Sequence, residues 1–246
     1  MKVFKADLHV HTVLSPCGSL EMSPAAIVKA ALEKKLDIIG ITDHNSTRQC
    51  RVVINEAKKA GLTVYSGAEV TTREEVHCLA FFENFEKLDE FQLFLDANLP
   101  DIKNDTGLFG YQVVVNEQEE IVYEEEKLLI SAIGKSIDQV EKEVHRLGGL
   151  FIPAHVNRSK YSLISQLGFI PPDLKFDALE LTKHQDTSSF LKSWPYLKEA
   201  SIIRSSDAHQ PEKIGEAFTR IQMENTSFKE FAMALRNAGG REVIRQ

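Results

Sequence analysis

Short apolar runs alternate with stretches of helical period along most of the chain. Strand-like runs are VFKADLHV (3–10), LDIIGITD (36–43), LTVYSGAEV (62–70), VHCLAFF (76–82), GLFIPAHV (149–156), FDALELT (176–182), SIIRSSD (201–207) and FTRIQM (218–223). Helices are expected between many of them. Ser23-Pro24 offers an N-cap followed by proline at the first helical position, before AAIVKAALEKK. Ser136 and Gln139 fit a capping box, with Ile137, Val140, Val144 and Leu147 on one side of the helix and Gly148-Gly149 at its end. Ser227 and Glu230 repeat the pattern before FAMALRNAGG, and a further helix is expected near 87–98. IIGIT, LFIPA and SIIRS are apolar on both faces, as strands of a covered parallel sheet should be. The stretch YQVVVNEQEEIVYEEE (111–126) breaks this rhythm. It reads as a β-hairpin around Asn116–Glu119, inserted near 108–130 into one domain spanning 1–246. The pattern predicts an α/β fold, an irregular β/α barrel, with an open doubly wound sheet as the second choice.

Composition narrows the field modestly. Of the 246 residues, 43% are hydrophobic and 26% charged, as in an ordinary globular protein with ample length for a core. The formal charge of −7 disfavours nonspecific nucleic-acid binding unless a basic channel or bound cations reverse the local field. The longest apolar runs are too short for a bilayer span, and the N-terminus enters a strand without a signal-peptide stretch. Three cysteines, Cys17, Cys50 and Cys78, do not make a disulfide framework. A cytoplasmic location, with no membrane partner, is expected.

The chemistry is concentrated at strand ends. Asp7, His9 and His11 alternate along the first strand run and so share one face. Six of the eight histidines (His9, His11, His44, His77, His155 and His209) fall at or just beyond the C-terminal ends of strand runs or in the following turns, and so do Glu69 and Asp207. In a parallel barrel those ends converge on one face. A lone histidine on an apolar strand is usually a core residue, but eight converging imidazoles and carboxylates predict a polynuclear site for Zn²⁺, Mn²⁺ or Fe²⁺.

The motifs D-x-H-x-H (Asp7, His9, His11), T-D-H-N (Thr42 to Asn45), G-A-E (Gly67 to Glu69), the downstream His77, P-A-H (Pro153 to His155) and S-D-A-H (Ser206 to His209) appear in this order. Together they resemble the PHP (polymerase and histidinol phosphatase) family of metal-dependent phosphoesterases. The resemblance implies a distorted (β/α)7 TIM-like barrel with two to three divalent transition metals at the C-terminal ends of its strands. It implies a first metal on His9, His11, Glu69 and Asp207, and a second on Glu69, His77 and His155. A third would lie on His44, His209 and a ligand from the loop after the first strand. Cys17 stands there, where similar proteins more often carry His or Asp. Its thiolate would suit zinc rather than manganese; the other reading is a small apolar residue packed under the loop.

For Asp7, orienting an imidazole and a buried structural role remain equally open, and Asp43 is expected only to support the site. His145 is placed on a helix, His184 in a loop, and neither Cys50 nor Cys78 is given a role. The expected reaction is phosphate-ester hydrolysis by metal-activated water, without a phosphoenzyme. Glu69 would serve as the shared bridge, and His209 or His44 as the proton donor to the leaving oxygen. Arg158, Lys160, Arg73 and Lys183 are candidate substrate contacts. A small phosphorylated substrate, a phosphomonoester or nucleotide, is preferred. An exonuclease on nucleic acid is the alternative, and a metal-stabilised accessory module the non-enzymatic one; oligomeric state is not legible.

Overall fold

The structure is a computed structural model that describes residues 1–245. Its strands are β1 (Lys2–Val10), β2 (Ile38–Ile41), β3 (Thr63–Thr71), β4 (His77–Phe82), β5 (Val113–Val115), β6 (Ile121–Glu124), β7 (Leu150–Pro153), β8 (Leu179–Glu180), β9 (Ile202–Ile203), β10 (Thr219–Met223) and β11 (Glu242–Ile244). Seven of them form a mixed sheet in the order β11-β10-β1-β2-β3-β4-β7. Only the β1/β2 and β2/β3 pairs are parallel; β4 is antiparallel to both its neighbours, and β10 to β1. A uniformly parallel sheet is therefore not what this chain makes. Five residues join β3 to β4, whereas a parallel crossover needs a dozen or more. The link can only be a hairpin.

The curl continues beyond β7. Phe151 O accepts the Asp177 N–H and Glu180 O accepts the Val156 N–H, both at 2.9 Å, which brings in β8. β9 lies parallel to β8, and Ala208 beyond it bridges back to Val10 at the end of β1. The ends of β1, β2, β3, β7 and β9 and the start of β4 thus gather along one rim.

Both faces of the sheet are covered, as the apolar runs required. Cys78, Ala80 and Phe82 of β4 pack among helix residues such as Ile27, Val53, Phe91 and Val140. The alternating Leu79 and Phe81 join Leu8, Ile38, Ile152 and Phe231 in a second cluster. Gly67 permits the tightest approach, since a Cβ there would lie 1.9 Å from Ala80 O on the paired strand.

The helix at Pro24–Glu33 starts with Ser23 accepting the Ala26 N–H. Ser136 and Gln139 make both bonds of their capping box before Ile137–Arg146. The expected Ser227/Glu230 box is only half made. Ser227 caps the Glu230 N–H, but the Glu230 carboxylate turns to the Glu224 N–H and to Arg241, a charge-assisted pair that outcompetes the cap. β5 and β6 form a separate hairpin, tied down by Gln49, whose side chain donates to Val115 O and accepts the Val115 N–H. No described helix is long and apolar enough to cross a membrane.

Candidate metal centre

Glu69, buried at the site end of β3, organises the rim. Its carboxylate lies 3.2 Å from His9 Nε2, 3.4 Å from His11 Nε2, 3.1 Å from His44 Nδ1, 2.8 Å from His77 Nδ1 and 3.2 Å from His155 Nε2. Five imidazoles share one acid. Asp207 Oδ1 closes the other side, 3.5 Å from His9 Nε2 and 3.4 Å from His11 Nε2. His209 stacks on His11 with ring centroids 4.0 Å apart. Ligand atoms gather in three overlapping groups: His9, His11 and Glu69; His44, Glu69 and His77; and His11, His44 and His209.

His77 reaches the rim by an unexpected route. It is the first residue of β4, not a C-terminal one, and the antiparallel hairpin returns it opposite Thr71. Three other rim residues adopt left-handed backbone, with φ of 44° at Asn45, 29° at His155 and 53° at Asp207. Non-glycine residues rarely hold such angles unless their surroundings impose them.

The hydrogen-bond network sets which nitrogen of each neutral ring is bare. His9 Nδ1 faces the buried Glu180 carboxylate at 3.1 Å and donates to it. Ser15 Oγ donates to Asp43 Oδ1 at 2.7 Å, so it accepts from His11 Nδ1 at 2.9 Å. His209 Nδ1 donates to the Asp207 carbonyl at 2.9 Å. In the neutral form of each ring, Nε2 is therefore the lone pair. The His9 and His11 lone pairs face each other at 3.2 Å, beside two carboxylates. Buried acceptors turned toward acceptors repel unless a cation lies between them. The donor set fits divalent metal, with imidazole and carboxylate suited to zinc, manganese or iron.

Electrostatics agree. Burial opposes charge on Glu69, but His77, His9 and His44 hold its carboxyl well below the usual range. Burial likewise opposes charge on Asp207, and His9 and His11 outweigh it. Burial and His209 push His11 down to about 4, and burial drives His44 well below its ordinary value. Both shifts favour the neutral form that ligation requires. His9 is the exception: burial lowers it, but Glu69, Glu180 and Asp207 together raise it well above normal.

Glu180 and Asn45 are the residues that sequence reasoning missed. Glu180 Oε2 accepts from His9 Nδ1 and from the His155 N–H at 2.9 Å, so it orients one imidazole and pins another. Its signal was an acid flanked by two leucines inside the apolar run FDALELT. Asp7, offered for the orienting task, instead accepts the N–H groups of Ser206 and Gly215 at 2.9 and 2.8 Å, holding the loop that carries Asp207 and His209. Burial pushes it up to about 6. Asp43 accepts the Thr12 N–H, Thr12 Oγ1 and Ser15 Oγ, each at 2.7 Å, and so positions His11 through Ser15.

The remaining candidates divide. Cys17 stands exposed at the mouth, lining one cavity of about 250 Å³ with His44, Asp207 and His209 and an adjoining one of about 450 Å³ with Lys183. Arg158 reaches the rim, its Nη1 2.8 Å from Asp207 Oδ2. Lys183 borders the larger cavity, paired with Glu216 at 2.8 Å. Arg73 is turned to solvent beside Glu74, and Lys160 is exposed without lining either cavity. His184 is exposed, and His145 lies on its helix between Glu141 and Asp177.

Comparison with known proteins places this geometry. Residues 7–163 match the PHP domain model, and residues 201–238 match the PHP-associated model. The uncharacterized protein YqxK of Bacillus subtilis is 26% identical over 99% of this chain, which spans 65% of that relative's length. The uncharacterized protein MJ1587 of Methanocaldococcus jannaschii is 37% identical over 28% of the chain. Among solved structures, the lesion-specific endonuclease Q of Pyrococcus furiosus superposes with a TM-score of 0.73 at 20% identity, over 98% of this chain and 58% of that one. A Bifidobacterium adolescentis protein assigned as a metal-dependent phosphoesterase gives 0.60 at 20% identity, over 86% of this chain and 91% of its own. At these identities the structural likeness establishes the fold alone, but the domain match covers most of the chain, which belongs to the PHP family.

Proposed function

We propose that the chain is a metal-dependent phosphoesterase that hydrolyses a phosphate ester by direct attack of water. The observation that carries this reading is the single buried carboxylate of Glu69 set within 2.8–3.4 Å of five imidazoles. His9, His11, Glu69 and Asp207 would hold one cation and Glu69, His77 and His155 a second. His44 and His209, with Cys17 at the mouth, would hold a third. Divalent cations held there supply acidification of water and neutralisation of phosphate oxygens.

The chain's own groups supply the rest. Arg158 turns its guanidinium toward the rim, where it would take a phosphate oxygen in place of Asp207. Lys183 borders the larger cavity, from which substrate would approach. His209, or His44 once protonated, would return a proton to the leaving oxygen when not engaged as a ligand.

Hydrolysis of nucleic-acid phosphodiesters is the second reading. It is favoured by the likeness to endonuclease Q over 98% of this chain, a protein also solved with a 27-mer duplex carrying an abasic lesion. Metal analysis and a panel of phosphomonoesters, diesters and short oligonucleotides test both. The expected result is stoichiometric transition metal and chelator-sensitive release of phosphate or strand. Metal-free protein with full activity, or metal-loaded protein inert on the whole panel, overturns the proposal.

A further inference from the structure

Beside the imidazoles, the smaller cavity at the rim has an apolar wall that the hydrolytic chemistry does not use. Tyr161 lies flat on His77, ring centroids 4.9 Å apart and planes 13° from parallel, yet the residue remains 42% exposed. The ring covers a candidate ligand and also lines the cavity. Its backbone is fixed: φ is 55°, Tyr161 O accepts the His77 N–H at 3.0 Å, and Ser162 caps the helix that follows. Ile130 lines the same cavity. It is held in place by Asn45, whose Nδ2 donates to Leu129 O at 2.7 Å and to Ser131 O at 2.9 Å. Arg158, three residues before Tyr161, lines the same cavity and reaches Asp207.

We infer that Tyr161 and Ile130 form a slot for the planar ring of a nucleoside phosphate whose phosphate lies on the imidazole rim beside Arg158. The inference rests on the phosphoesterase reading and narrows its substrate class. Stacked on His77 yet 42% exposed, Tyr161 lines a cavity of about 250 Å³, room for one ring system next to the phosphate. Any base can stack on a tyrosine ring, so the slot selects the presence of a base rather than its identity. Asn45, one residue from His44, positions the far wall: its side chain spans both carbonyls flanking Ile130 and accepts the Thr71 N–H at 3.1 Å. The metal rim and the slot are thus built from the same turn. The nucleotide could be free or part of a strand.

The test uses the metal-loaded protein with adenosine 5′-monophosphate, ribose 5-phosphate and a short single-stranded oligonucleotide. Titrations give affinities, and initial rates give kcat/KM. Ribose 5-phosphate carries the same sugar and phosphate but no base. The expected result is about a tenfold preference for the base-bearing monophosphate, the size of one base–aromatic stack. Tyr161→Phe should keep that ratio and Tyr161→Ala should collapse it toward one. If the nucleotide is used within a strand, the oligonucleotide is the one cleaved, and Tyr161→Ala slows it by a similar factor. Damage to His77 alone would lower both monophosphates together and leave their ratio unchanged. An equal affinity and kcat/KM for the two monophosphates, or a ratio that Tyr161→Ala does not move, overturns the inference. Should nothing be hydrolysed, the phosphoesterase reading fails, while the titrations still decide whether the slot binds a base.

Discussion

Removing the Glu180 carboxylate separates two tasks that this side chain performs. Glu180 is 2% exposed, and its Oε2 accepts both from His9 Nδ1 at 3.1 Å and from the His155 backbone N–H at 2.9 Å. Glu180→Ala strands two buried donors. Each unsatisfied donor costs about 1–3 kcal/mol, so the fold should lose roughly 2–6 kcal/mol. That is a large share of the total stability of a typical domain. Glu180→Gln is the sharper perturbation. Its amide oxygen, set where Oε2 stands, still accepts from both donors, so the stability loss should stay near 1 kcal/mol, the charge-assisted part of the bonds.

What the amide cannot do is raise the basicity of His9. Loss of a carboxylate behind a ligating imidazole lowers metal affinity by about 10–100-fold. Urea unfolding of the two variants, with chelator competition followed by metal analysis, reads both quantities on the same samples. The reasoning predicts that Glu180→Ala falls in both and Glu180→Gln mainly in metal affinity. Wild-type metal affinity in Glu180→Gln, together with a loss below about 0.5 kcal/mol in Glu180→Ala, would refute it.

Glu69→Gln keeps the shape of the shared carboxylate but not its charge; turnover should fall by more than about a hundredfold with the circular dichroism spectrum unchanged, and near wild-type turnover removes Glu69 from the bridge. Cys17→Ser should lower occupancy of one metal while sparing those on Glu69, because a hydroxyl is a poor substitute for thiolate; unchanged stoichiometry by metal analysis would mean that Cys17 only packs. Gly67→Ala should cost about 3 kcal/mol or more in urea unfolding, since its Cβ would meet Ala80 O at 1.9 Å; a mild loss shows that the β3/β4 pair can spread. The hydrogen bond to Asp177 raises His145, with Glu141 adding to it, and burial opposing. A raised imidazole stabilises the fold below its unfolded value of 6.5, and that support is lost as pH climbs through the folded value. Asp177 is depressed: burial opposes this, but bonds from His145 and the Phe151 N–H outweigh it, so its support fades as pH falls below the ordinary value of 3.8. His145→Gln should therefore cost about 1 kcal/mol at pH 6 and close to nothing at pH 9 by thermal unfolding; an equal loss at both pH values refutes the charged pair.

The rim was legible where a local period fixed it. Asp7, His9 and His11 could be set on one face because a strand has period 2, and the helix starts at Ser23 and Ser136 could be read from their caps. What sequence position could not give was strand direction and lateral distance. The direction of β4 follows from the short link at 72–76, which is too short for a parallel crossover. Arg73 lies between Glu69 and His77 in sequence, yet the hairpin that joins those ligands throws it outward to solvent. Lys160 goes the same way, while Arg158, two residues earlier, turns inward. Glu180 and Asp7 show the same gap from the other side. Both are buried carboxylates in strand segments, and only the partners reveal that Glu180 faces an imidazole and Asp7 a loop.

The architecture also explains how a rim of mutually repelling groups stays assembled. Residues in left-handed backbone cost of order 1–3 kcal/mol each and persist only when their neighbours over-determine them. Each strained residue here is pinned at its own amide or at the next one. The Asn45 N–H donates to Glu69 O, the His155 N–H to Glu180, and the Ala208 N–H, just after Asp207, to His9 O. Asp7 holds Ser206 on the other side of Asp207. The bonds that hold these angles thus come from buried residues of β1, β3 and β8, through backbone carbonyls and the Asp7 and Glu180 carboxylates. The strain is carried by the scaffold. A cation entering such a site meets lone pairs already aimed, so little of its binding energy is spent on ordering the chain.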